Sequence, residues 1–243
     1  MFTKKEAKHL LISIIILGFV FGFDDGRPKF QLGYWLTNLI FVTLIVAFSI
    51  IFREMIVKWK AKRHDATAEY EIWTIKQVWF GGHGRLKRGI PLGMFIALLL
   101  SITSKGKAFF TAIGVHKIKE DLIARAGRKR VYIRDWEISQ IGLWSIWANI
   151  FLVIVGTALK NYGINIGNFI EINMFIALFN MLPFGDLDGA KIFFGNLFLY
   201  IFNLAFLIIA FLLVKQSLLL GLIIAFIIAV TAGFLWQYFY EYK

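Results

Sequence analysis

The chain has 243 residues, 59% of them hydrophobic, and a mean hydropathy of +0.70. Soluble domains use apolar residues for nearer half of their length, so an ordinary soluble fold is excluded and an integral membrane protein is expected. The absence of Cys excludes disulfides and thiolate metal sites, and a formal net charge of +12 makes the placement of Lys and Arg the next question.

Seven apolar segments follow in chain order: Leu10 to Phe23, Tyr34 to Ile56, Ile90 to Ile102, Ile138 to Leu159, Ile164 to Leu182, Ile192 to Val214 and Ser217 to Trp236. A span needs about 20 residues, so the third reads as re-entrant or interfacial and the other six as transmembrane helices. Lys4, Lys5 and Lys8 precede the first segment. Residues 53–88 and 105–137 each carry nine Lys/Arg against four Asp/Glu. The positive-inside rule then places the N-terminus and both basic segments on the cytoplasmic side of a cell membrane, and six spans return the C-terminus there. The basic excess serves orientation and contact with an anionic lipid bilayer. No platform of stacked aromatics and cations argues for nucleic acid.

The first segment has the basic and apolar regions of a secretory signal, but no small-x-small cleavage site at Phe21-Gly22-Phe23, so a retained anchor is expected. Gly18 and Gly22 on it are spaced for close helix packing. From Tyr70 to Phe80, aromatic and branched residues predict a strand that ends at the turn Gly81-Gly82-His83-Gly84. Trp73 and Trp79 suit a membrane interface. Thr111 to Val115 predicts a second strand, Val131 to Trp136 a hairpin arm pairing with it, and Lys117 to Arg130 a solvated basic loop or short helix. Farther on, Asn149 reads as a hydrogen-bonding group between helices. Glu171, Asn173 and Asn180 are polar groups in an apolar run, with Glu171 toward its outer end and facing water. The last two segments read as scaffold, with Trp236, Tyr238 and Tyr240 as interfacial anchors.

The stretch Asn180 to Gly189, Asn-Met-Leu-Pro-Phe-Gly-Asp-Leu-Asp-Gly, separates two apolar runs. Pro and Gly are common in any interhelical turn. An Asp, a helix-breaking Pro and two Gly between segments of membrane length are costly to keep, which points to a site. Pro183 lacks an N–H and leaves a carbonyl unpaired, and Gly185 and Gly189 let the backbone turn. The spacing Asn-x-x-Pro-x-x-x-Leu-Asp-Gly resembles the second signature of the site-2 protease family of intramembrane zinc metalloproteases. The resemblance runs from the second span to Lys191. It implies an α-helical polytopic membrane protein of six transmembrane helices, a re-entrant segment and a small membrane-associated β-sheet around a site-2-protease-like core. A single membrane domain, 1–243, then divides into an N-terminal anchor span (1–33), the protease-like core (34–191) and two C-terminal scaffold spans (192–243). By the same resemblance Asp188 takes a zinc-ligand position, Asn180 and Pro183 bind substrate, and the sheet edge accepts an unwound substrate as an added strand.

The family carries His-Glu-x-x-His near the cytoplasmic end of the second span, where His at i and i+4 share a helix face and Glu serves as general base. Lys58 to Arg63 followed by Ala68 to Trp73 fits the family's continuation without a gap. That register places Arg53 and Val57 at the two His positions and Glu54 at the general base. A guanidinium offers no usable lone pair and Val no donor atom, so neither holds Zn²⁺. With Asp188 the remaining ligand, a three-ligand zinc site is not available, and Glu54 has no acidified water to deprotonate. His9, His64, His83 and His116 are the only histidines, and a zinc site rebuilt from them is not expected. Arg53 is expected to pair with Asp188, alone or together with Glu54, where the family keeps zinc, or else to snorkel to the interface.

The resulting expectation is a zinc-less, catalytically inactive homologue without cofactor. It binds or presents transmembrane segments of other proteins, or partners an active protease homologue. The alternative is a working intramembrane zinc metalloprotease with atypical ligands. A transporter or channel predicts internal repeats and charges within spans, and no such repeat is present.

Overall fold

A computed structural model describes residues 2–77, 85–126, 132–163, 167–213, 224, 226–228 and 230–231. Trp79, His83, Val131, the interfacial anchors Trp236, Tyr238 and Tyr240, and most of the expected last span lie outside the described residues. The chain forms two compact units, Met1–Glu54 with Glu69–Lys117, and Met55–Ala68 with Ile118–Lys243.

In the first unit, α1 (Lys4–Gly22) opens with a capping box in which Thr3 and Glu6 satisfy each other's backbone N–H. Its buried stripe includes Glu6, Leu10, Ser13, Leu17 and Val20, spaced at three and four residues as one helix face requires. Helix α2 (Leu32–Arg63) begins in this unit. Gly18 lies so close to it that a Cβ there would stand 2.3 Å from Thr43 Oγ1, as the glycine spacing predicts. Helix α3 (Leu92–Thr103) has 12 residues. At about 1.5 Å per residue it reaches about 18 Å, short of a bilayer core of about 30 Å. The Ser101 hydroxyl lies 3.5 Å from the Val20 carbonyl of α1.

Two small sheets accompany these helices. One pairs β1 (Ala66–Ile72) with β4 (Gly114–Glu120); the other pairs β2 (Ile75–Gln77) antiparallel with β3 (Arg85–Ile90). The continuous strand expected from Tyr70 to Phe80 is therefore interrupted at Trp73, whose N–H donates to the Ile113 carbonyl at 2.8 Å. Nor does the second expected strand end at Val115, since β4 continues through Lys117–Glu120 into the stretch read as a solvated loop. A third correction concerns the hairpin arm: Asp135 and Trp136 open α4 (Asp135–Asn161). The reason is local. Glu137 accepts the Arg134 N–H at 2.8 Å, and two acids in the first turn oppose the positive end of the helix dipole.

In the second unit, α4 packs against α5 (Gly167–Asn180) and α6 (Asp188–Gly195), and α7 (Leu197–Leu213) completes the bundle. Ile146, Ile150, Val153, Met174, Ala177, Met181, Ile192 and Leu207 form its core. The span expected from Ile192 to Val214 is broken at Asn196, which takes an extended conformation (φ −159°) and caps α7 by accepting the Leu199 N–H at 2.9 Å.

Among the described residues, two helices are long and apolar enough to cross a membrane, Leu32–Arg63 and Asp135–Lys160. The first is 32 residues long, about 48 Å, so its basic last turn at Lys60, Lys62 and Arg63 reaches beyond any bilayer core it crosses.

Candidate functional site

Helix α2 places Arg53 and Glu54 side by side, and both are buried in the first unit, at 4% and 1% exposure. The Glu54 carboxylate is gripped from two directions. Arg53 donates to Oε1 from Nε at 3.1 Å and from Nη2 at 3.0 Å. His116, buried on β4, brings Nε2 to 3.0 Å from each carboxylate oxygen. An ionised carboxylate held by a permanent guanidinium only accepts, so His116 Nε2 carries the proton in this contact. Tyr70 of β1 extends the cluster. Its ring meets the His116 ring edge-on at 6.0 Å between centroids, with the Arg53 guanidinium 5.8 Å from its centre. Its hydroxyl donates to Ser13 Oγ at 2.9 Å, and burial raises the Tyr70 phenol above its ordinary range.

The other residues singled out by the sequence lie in the second unit. Asn180 closes α5 with Nδ2 donating to the Ile176 carbonyl at 2.8 Å, and half-buried Pro183 follows in the turn. Gly185 adopts φ 56°, the left-handed turn conformation. A Cβ on Gly189 would meet the Met181 carbonyl oxygen at 2.1 Å, so only glycine allows α6 to begin so close to the end of α5. Asp188 is the first residue of α6, 2% exposed, and accepts from Lys191 Nζ at 2.8 Å one turn later. Val57 is fully buried with Ala61, Ala66, Ala68 and Ile141. Arg53 lies in the first unit, where it meets Glu54, and Asp188 in the second, where it meets Lys191.

A second buried ionic group also occupies this unit. Arg125, 2% exposed, donates to the His64 carbonyl at 2.6 Å, to the Tyr132 carbonyl at 3.2 Å and to Glu137 Oε2 at 3.0 Å. His64 Nδ1 lies 3.7 Å from Glu137 Oε1, while burial and then the Lys60 charge hold the imidazole below its ordinary pKa. The sequence places Arg125 in a solvated loop, and since its neighbours Leu122, Ile123, Ala124 and Ala126 are themselves exposed, nothing local marks its burial. His116 was equally missed, since it meets Glu54 only through the pairing of strands far apart in the chain.

Among the described residues, neither unit taken by itself gathers the donors of a catalytic zinc site. The first unit brings together one imidazole and one carboxylate in direct contact, and the Arg53 guanidinium binds that same carboxylate. Asp188 stands in the second unit beside Lys191. Among the described residues no three His, Cys, Asp or Glu gather closely enough to hold a metal ion, whereas zinc needs three protein ligands with an open fourth position.

No family model matches the chain, and no solved structure does. A protein of Methanocaldococcus jannaschii named as a candidate zinc metalloprotease is 25% identical over 199 residues, covering 82% of this chain and 88% of that relative. This likeness is weakly consistent with a protease family.

Proposed function

We propose that this chain is a polytopic membrane protein of site-2-protease-like descent that works without zinc. In this reading it binds or presents extended segments of other membrane proteins, or partners an active homologue. The observation that supports it is the state of Glu54, at the position the family gives to the general base. Both its oxygens are engaged by His116 and one also by Arg53, so the negative charge that would act on a water is neutralised by side chains of the same unit. A general base needs a free lone pair directed at the proton it takes. The membrane topology that accompanies the proposal has six spans, with the termini and the basic loops cytoplasmic.

The test is metal analysis of the purified, chelator-treated protein, together with cleavage assays on a transmembrane peptide. Substoichiometric zinc and no cleavage are the expected results. One specific observation favours the alternative, a zinc metalloprotease with atypical ligands: His116 supplies an imidazole 3.0 Å from Glu54, two donors that a metal would use. Zinc near one per chain, lost in His116→Ala or Asp188→Ala, would establish that alternative.

A further inference from the structure

Successive residues of a strand point their backbone N–H and C=O to opposite sides, so a strand paired on one side leaves every second residue facing outward. Strand β1 has β4 as its neighbour in the sheet. The Trp73 N–H, just beyond β1, donates to Ile113, which leads into β4, so odd-numbered residues face β4 and Tyr70 faces the outer edge. That outward N–H is not left to solvent. It donates to Glu6 Oε1 of α1 at 3.1 Å.

The same helix holds the same residue a second time. Ser13 lies seven residues after Glu6, on the same buried stripe of α1, and its Oγ accepts from the Tyr70 hydroxyl at 2.9 Å. Farther out, Lys5 pairs with Glu71. Glu6 itself is 1% exposed and uses its other oxygen on the Thr3 N–H at 3.3 Å, so its carboxylate is oriented by the helix cap before it reaches the strand. An outward strand N–H is the group through which an edge recruits the carbonyl of a further strand, and here a side-chain carboxylate stands in for that carbonyl.

We infer that α1 is a latch on the outer edge of β1: Glu6 occupies the hydrogen-bonding place of an incoming polypeptide carbonyl, and the edge accepts an extended partner only when the first turns of α1 move away. The inference rests on the proposed binding function and adds the device that regulates it. Releasing Glu6 exposes the Tyr70 N–H, whereas tethering α1 to β1 keeps the edge closed.

The chain has no Cys, so introduced cysteines report cleanly. Three forms are compared in bilayer discs: wild type, Glu6→Ala, and the pair Lys5→Cys with Glu71→Cys locked by a reducible bifunctional thiol reagent whose length replaces the two long side chains that meet there. Amide hydrogen exchange at Tyr70 is expected to be about tenfold faster or more in Glu6→Ala, the loss of a hydrogen bond to a charged acceptor, and unchanged in Glu6→Gln, which keeps an acceptor oxygen. Equal exchange in wild type and Glu6→Ala overturns the latch. Should Glu6→Ala not fold, the locked pair with and without reductant makes the same comparison. A photo-crosslinking peptide of alternating Thr and Val then probes the edge. Labelling of β1 is expected to rise several-fold in Glu6→Ala, to vanish in the locked form and to return on reduction. Labelling that is present and equal in the locked and reduced forms overturns the latch, while accelerated Tyr70 exchange with no labelling in any form upholds the latch and overturns the binding function.

Discussion

Glu54, inside α2, and Asp188, the first residue of α6, are both buried acids, and they are neutralised in opposite ways. Asp188 takes its counter-charge from Lys191, one turn along the same helix, by an i,i+3 pairing that any α-helix presents. Glu54 takes one counter-charge from its neighbour Arg53 and another contact from His116, 62 residues away on a strand. The first arrangement survives small movements, because Lys191 is 14% exposed and its long side chain reaches water. The second depends on α2, β1 and β4 keeping their places. A charge satisfied locally reports little about the fold around it, whereas one satisfied at long range reports a great deal.

Breaking each acid tests this difference. Glu54→Ala removes a buried carboxylate that both Arg53 and His116 contact, and about 3–5 kcal/mol of stability is expected to be lost. Thermal or denaturant unfolding in a fixed detergent measures it. Asp188→Ala strands a lysine that can swing outward, so a loss of about 1–2 kcal/mol is expected in the same assay. Equal losses would remove the distinction between the two acids.

The ionic group around His64 sharpens the comparison through pH. Its folded-state pKa lies below the ordinary imidazole range, so between the two values the unfolded chain binds the extra proton. His64 therefore contributes stability that is present above its unfolded pKa of about 6.5 and lost as pH falls below it. Lys60, Glu137, Gln140 and Arg125 surround it, so the expected slope belongs to the group as a whole. Melting midpoints from pH 7.5 to 5 should fall less steeply in His64→Gln than in wild type. The smallest effect is expected from Glu71. Its carboxyl is held below the ordinary range chiefly by the Lys5 hydrogen bond, so its contribution is present above about pH 4.5 and lost as pH falls through the lower folded value. Because Lys5 is largely exposed, salt should screen this pair. Glu71→Gln should shift the midpoint least, and less still at high ionic strength.

The helices were legible because their signals are local. Long apolar runs, the glycine spacing at Gly18 and the Pro and Gly punctuation at 183–189 need nothing from distant residues, and α2 and α4 follow their expected segments closely. The breaks were harder to read. Asn196 interrupts an apolar run by capping α7, and β1 ends at Ile72 inside an aromatic and branched run that continues without a break in composition. Hydropathy averaged along a segment is blind to both.

From the amino acids alone came the membrane-like composition, the helical segments and the chemistry of positions 53 and 57, because a guanidinium and a hydrocarbon have the same donor properties in any fold. Which group meets Glu54 was decided only in three dimensions. His116 reaches it through strand pairing, and Arg125 is buried because three backbone and side-chain acceptors converge on it. Such convergence depends on distances between segments remote in the chain, and those distances are a property of packing.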